Sequence, residues 1–145
     1  MTVIRNKKPP PMSDRAYKIM FLVAAWHNFI GGTFFALFGN WVYRYGGINP
    51  PSPGIHYKTW VGLIFVFGVM YYMIYEDMYA NKNLVIVGIV GKFVSSLPMV
   101  YGLLFYPEST PGLFIVPIFT DMSFGVLFFL FYAHARRSKG WKRAR

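Results

Sequence analysis

Apolar positions along the chain come in long unbroken blocks rather than in a short alternation. The first reads AYKIMFLVAAWHNFIGGTFFALFG from Ala16 to Gly39, and three more cover residues 57–75, 84–106 and 113–133. A hydrocarbon core of about 30 Å takes roughly 20 helical residues to cross, so each block predicts one membrane-spanning helix. Membrane strands would alternate apolar and polar positions and close into a barrel of about eight strands or more, which this pattern does not allow. The expected fold is an all-α membrane protein, a four-transmembrane-helix bundle over residues 16–133. A basic, proline-rich arm (1–15) precedes it and a basic tail (134–145) follows. The first block exceeds the apolar stretch of a signal peptide and lacks an A-x-A site, so it is expected to stay as the first span.

The polar connections predict the topology. Arg5, Lys7, Lys8, Arg15 and Lys18 precede or open the first span, Lys82 lies in the second connection, and six basic residues crowd the tail. The first and third connections offer only Arg44 and Lys58. The positive-inside rule then puts both termini and the 76–83 turn in the cytoplasm, and an even number of spans requires the same. Residues 40–56 (NWVYRYGGINPPSPGIH) read as a turn-rich outer loop. Trp41, Tyr43, Tyr45, Tyr57 and Trp60 flank it in the manner of an aromatic belt at the headgroups. The short 76–83 and 107–112 connections make consecutive helices antiparallel neighbours. Pro9-Pro10-Pro11 sets an extended segment ahead of the first span.

Composition sharpens this picture. Of 145 residues, 55% are hydrophobic and only 14% charged, against about a quarter charged in soluble domains; a soluble enzyme is excluded. The net charge of +10 sits mostly at the two ends, so no nucleic-acid partner is expected. The absence of cysteine excludes disulfides, thiolate metal sites and cysteine nucleophiles.

Polar residues inside the spans carry any chemistry. Lys92 lies eight residues into the third block and Asp121 eight into the fourth. At about 1.5 Å per residue each is roughly 12 Å deep from opposite faces, so their levels differ by only about 6 Å. Intramembrane charges tend to pair inside a bundle, so a Lys92–Asp121 pair is expected. Its ordinary role would be a clamp on helix register, and its alternative a proton or ion path. His27 and Asn28 fall near the middle of the first span. Asn28 shares a face with Ala24, Gly31 and Gly32, where small residues let helices approach and an amide bonds across the interface. His27 is a candidate for a haem or quinone site shared with a partner, or a packing histidine. His56 and His134 sit at a loop and a helix end, so bis-histidine haem within one chain is not expected. No metal site is expected, since Glu76 and Asp77 lack an E-x-x-H motif and read as a solvated turn.

Gly88, Gly91, Ser95, Pro98 and Gly102 form a small-residue stripe on the third helix, and Pro117, Asp121 and Gly125 repeat at four-residue spacing on the fourth. These predict tight packing, with a kink at Pro98 and with Ser95 or Ser96 satisfying nearby backbone. Such packing would leave no wet path through one copy. The tail residues Arg136, Arg137, Lys139, Trp141, Lys142, Arg143 and Arg145 suit anionic lipid headgroups, at about 1 kcal/mol per basic residue, or an acidic partner.

Four spans in 145 residues, the G-x-x-G-K run of Gly88, Gly91 and Lys92, and Asp121 opening an aromatic fourth span with Phe124 and Phe128 resemble small bacterial four-helix membrane proteins. In general layout these are similar to the DoxX-like group, some of whose members are linked to quinone-dependent oxidoreductases. The resemblance implies the architecture and a bacterial inner (cytoplasmic) membrane, and it carries no catalytic motif onto these positions. Two functions compete. The first expectation is a non-catalytic accessory subunit packed against other subunits of a larger, energy-transducing membrane complex, respiratory or photosynthetic, with lipid bound and any quinone, haem or pigment at a shared interface. The other is a quinone- or haem-associated oxidoreductase component or small ion-coupled transporter, which requires Lys92, Asp121 and His27 to converge on one cavity.

Overall fold

The computed structural model describes residues 12–136 except Pro53. It contains α1 (Asp14–Tyr45), α2 (Ile55–Glu76), α3 (Lys82–Phe105), a 3-10 turn (Gly112–Phe114) and α4 (Ile115–Ala135), with no strand among the described residues. Four helices are long and apolar enough to cross a membrane, the mark of an integral membrane protein. Their outward faces carry the large apolar side chains: Ile30, Leu37, Leu104 and Phe119 are each at least 66% exposed. In water such a surface would be costly, at about 25 cal/mol per Å² of apolar area; in hydrocarbon it costs nothing.

Local chemistry sets the helix ends. Ser13 caps α1, its extended backbone letting the side chain accept from the Ala16 amide at 3.2 Å, with Asp14 in the first turn complementing the helix dipole. The first helix runs six residues beyond its expected end at Gly39. Nothing from Asn40 to Tyr45 breaks a helix; the break comes at Gly46 and at Gly47, whose φ of +72° suits glycine. Trp41 and Tyr45 therefore stack on an exposed helical turn, ring centroids 5.1 Å apart, and not on a loop. Between α2 and α3, the Asp77 carboxylate accepts from the amides of Tyr79 and Ala80 at 3.1 and 2.9 Å. It is thus a turn-forming residue, a role beyond that of a charge offsetting Lys82. The third helix stays a single helix through Pro98, which is exposed.

Asp14 at the start of α1, Tyr79 in the α2–α3 turn and His134 at the end of α4 meet at one end of the bundle, so the helices alternate in direction. Helices α1 and α2 pack closely, as do α3 and α4, whereas α2 and α3 are much less intimate. Two apolar clusters result. At the end where α1 begins, Tyr17, Phe21, Tyr71, Phe128 and Phe131 are fully enclosed. Phe21 stacks on Phe128 at 4.9 Å and meets Phe131 edge-on at 5.2 Å, the geometries aromatic quadrupoles prefer. At the opposite end Val42, Phe114 and Ile118 gather Phe35 and Tyr43 around them.

The glycines work differently from the expectation of closely approaching backbones. Each of several forms a shallow socket for a ring: Gly32 beneath Phe65, Gly68 beneath Phe29, Gly88 beneath Tyr71, Gly91 beneath Phe67 and Gly125 beneath Phe93. With fifteen Phe and eleven Tyr to place, the bundle spends its small residues on aromatic volume. Gly31 is the exception. A Cβ there would meet nothing within 4 Å, because Gly31 borders open space and packs against no helix.

Candidate functional site

That open space lies between the two apolar clusters, at the level where all four helices contribute polar groups. Helix α3 supplies Lys92, whose residue is 3% exposed. Its Nζ lies 2.5 Å from Asp121 Oδ1 on α4 and 3.0 Å from Asn28 Oδ1 on α1. Asp121 Oδ2 in turn accepts from Ser95 Oγ at 2.9 Å. Asn28 uses its amide nitrogen to donate to the Ile64 carbonyl on α2 at 3.1 Å. One continuous network therefore ties four helices together. Lys92 also stands over the faces of Tyr71 and Phe124, 5.2 and 5.4 Å from their centroids, where the ring quadrupoles attract a cation.

The network is nearly complete, and the exceptions are informative. An ammonium has three protons, and oxygen acceptors engage two of those on Lys92. His27, adjacent to Asn28, lies against Phe124 with centroids 5.5 Å apart. Its Nδ1 is buried with no hydrogen-bond partner among the described residues, and such an atom costs about 1–3 kcal/mol unless something satisfies it. Both residues line a cavity of about 250 Å³, together with Asp121, Ser95 and Asn28. Its remaining walls include Trp60, Phe67 and Tyr71 from α2. Where α2 and α3 pack less closely, the bundle thus holds a mostly apolar cavity on which a few polar groups converge. A larger hollow of about 400 Å³, bordered by Phe35, Asn40, Tyr57 and Lys58, contains no buried charge.

The structure brings Lys92, Asp121, Asn28, Ser95 and His27 together. Ser95, expected to serve local backbone, reaches Asp121 and stands 3.0 Å from the Lys92 carbonyl, while Ser96 donates to that carbonyl at 2.7 Å. Gly88 and Gly125 seat rings, and Gly31 and Gly91 border the cavity. Among the described residues no group of three or more His, Asp or Glu side chains could hold a metal ion. Arg136 is exposed at the end of α4; Arg137, Lys139, Trp141, Lys142, Arg143 and Arg145 lie outside the described residues, as does the triple-proline segment.

Sequence reasoning did not anticipate the aromatic wall or the polar contact at the bundle end. Asp14 there accepts from the Tyr79 hydroxyl at 3.0 Å and pairs with His134 Nε2 at 3.2 Å. The His134 ring stacks on Tyr17 at 5.5 Å. Residues 120 apart in sequence leave no local signal for such a contact. The chain matches no protein-family model, no curated protein and no solved structure, so the geometry alone bears on function.

Proposed function

We propose that this is an integral protein of the bacterial cytoplasmic membrane, with both termini on the cytoplasmic side, acting as a quinone-associated component of a membrane oxidoreductase. One observation carries this reading: Lys92, Asp121 and His27 converge on a single, mostly apolar cavity whose walls include the rings of Trp60, Phe67 and Tyr71. A register clamp would need only the ion pair. It would need neither the space beside that pair nor a buried imidazole nitrogen left unpaired. Intramembrane ionisable groups are functional candidates by default, and a cavity with a few convergent polar groups is the ordinary form of a ligand site.

The roles follow from the donors and acceptors present. The third Lys92 proton is available to a quinone carbonyl oxygen, and Asp121 keeps the site neutral before a ligand arrives. His27 Nδ1 is placed to exchange a proton with the ligand. Reduction of a quinone takes two electrons and two protons, and the electrons would come from a partner subunit. The likeness to the DoxX-like group belongs to this proposal and does not carry it. The accessory-subunit reading keeps a narrower place: exposed rings such as Trp26, Phe38 and Phe119 suit docking against other membrane subunits. The basic tail suits anionic headgroups.

Purification in mild detergent from the native membrane, followed by solvent extraction and quantitation of quinones, tests the reading. The expected result is about one quinone per chain, lost in a Lys92→Met/Asp121→Leu variant that keeps its helical content. A wild-type protein free of quinone, co-eluting stoichiometrically with larger subunits in both forms, would leave the chain a packing subunit.

A further inference from the structure

The cavity is not sealed by the bundle. Among the residues that border it are Leu63 on α2 and Val94 on α3, yet Leu63 is 51% and Val94 62% exposed. Side chains that touch both an interior cavity and the outer surface mark its mouth. That mouth opens between α2 and α3, the consecutive helices that pack least closely. Its depth is set by position along the helix. Val94 lies twelve residues from the start of α3 at Lys82 and eleven from its end at Phe105, about 18 and 16 Å along the axis at 1.5 Å per residue. The opening therefore faces the middle of the hydrocarbon layer, far from water on either side.

From this placement we infer that the site takes its ligand laterally from the bilayer, between α2 and α3, with the ligand's polar head at Lys92, Asp121 and His27 and its apolar tail lying across Leu63 and Val94. The inference rests on the ligand site proposed above and specifies which molecules it admits: lipid-phase compounds with one compact, uncharged, hydrogen-bonding head and a long hydrocarbon tail. The charge balance requires the uncharged head, because Lys92 and Asp121 already neutralise one another and a second unpaired charge would be buried without compensation. The volume requires the compact head, since about 250 Å³ holds a single substituted ring and excludes a lipid-length chain. Phe67 on α2 stands over Gly91 on α3, and both line the cavity.

The test uses full-length protein in phosphatidylcholine vesicles, titrated with a decyl-substituted benzoquinone and with its tail-less parent ring, binding being read from tryptophan fluorescence quenching. Val94→Trp fills the mouth, and Val90→Trp places the same ring one turn away, on an exposed face that does not border the cavity. The expected result is a loss of tenfold or more in affinity for the tailed quinone in Val94→Trp, a change of less than twofold in Val90→Trp, and a smaller loss for the tail-less ring in both. Equal affinities in the two variants, with wild-type protein binding the tailed quinone, would overturn the lateral route and leave the ligand site standing. No binding of either compound by the wild type would overturn the site itself, and the route with it.

Discussion

The bundle contains two constellations built from nearly the same parts. In the middle, a carboxylate (Asp121) meets a cation (Lys92) and a hydroxyl (Ser95). At the end where the chain enters and leaves the helices, a carboxylate (Asp14) meets an imidazole (His134) and a hydroxyl (Tyr79). Their surroundings differ. Side-chain exposure is 4% and 16% for Lys92 and Asp121, but 20% and 56% for His134 and Asp14. Coulomb attraction scales inversely with the local dielectric, and so does the cost of leaving either partner alone. The central constellation therefore weighs heavily on folding, whereas the peripheral one can be lost with little effect.

The sharpest way to break this comparison is to remove one charge from each constellation. At the centre, Lys92→Met leaves a buried carboxylate with only Ser95 to satisfy it and deprives Asn28 of its donor. Removing one partner of a buried pair costs about 3–5 kcal/mol, so the thermal midpoint in detergent should fall steeply, with Asp121→Leu behaving alike. The double variant Lys92→Met/Asp121→Leu should recover most of that loss, since neither charge is then stranded. Thermal unfolding of the three variants, analysed as a double-mutant cycle, checks this. Additive single effects would mean that the two side chains do not act as a pair.

How much of this was legible in the chain follows from how local each signal is. The four spans were, because about 20 continuous apolar residues carry their own message. The meeting of Lys92 with Asp121 was accessible too, since depth along two antiparallel helices can be counted from sequence. The true end of α1 was not. Asn40-Trp41-Val42 looks like the start of an interfacial loop, yet nothing there breaks a helix before Gly46, and Tyr57 packs over Gly39 with its hydroxyl donating to the Phe35 carbonyl at 2.9 Å. The cavity was illegible for a related reason. Its walls depend on the separation of α2 from α3, a property of side-chain volumes summed over the whole bundle. The glycine pattern was read as a backbone interface because spacing does not distinguish a socket for a ring from a seam between helices.

The glycines allow a finer comparison between filled and empty neighbourhoods. A Cβ built on Gly68 would lie 2.7 Å from the Phe29 ring, whereas one on Gly31 meets nothing within 4 Å. Gly68→Ala should therefore cost about 1–3 kcal/mol through overpacking. Gly31→Ala, relieved of glycine's poor helix propensity, should be neutral or stabilising by up to about 1 kcal/mol. Thermal midpoints of the two variants decide the matter. A destabilising Gly31→Ala would show that Gly31 is packed against another helix after all, and the cavity beside it would need to be redrawn.

The smallest effect is expected at the peripheral constellation. Asp14→Asn removes the charge facing His134 but keeps an oxygen that can accept from the Tyr79 hydroxyl. Exposed ion pairs contribute about 0–1 kcal/mol, and Asp14 is more than half exposed. The variant should lose less than about 1 kcal/mol, and added salt, which screens exposed pairs far more than buried ones, should shrink even that difference. The same salt should leave the penalty of Lys92→Met nearly unchanged. If Asp14→Asn instead destabilised the protein as severely as Lys92→Met, burial would not be what separates the two constellations. The end of the bundle would then have to be counted as part of its folding core.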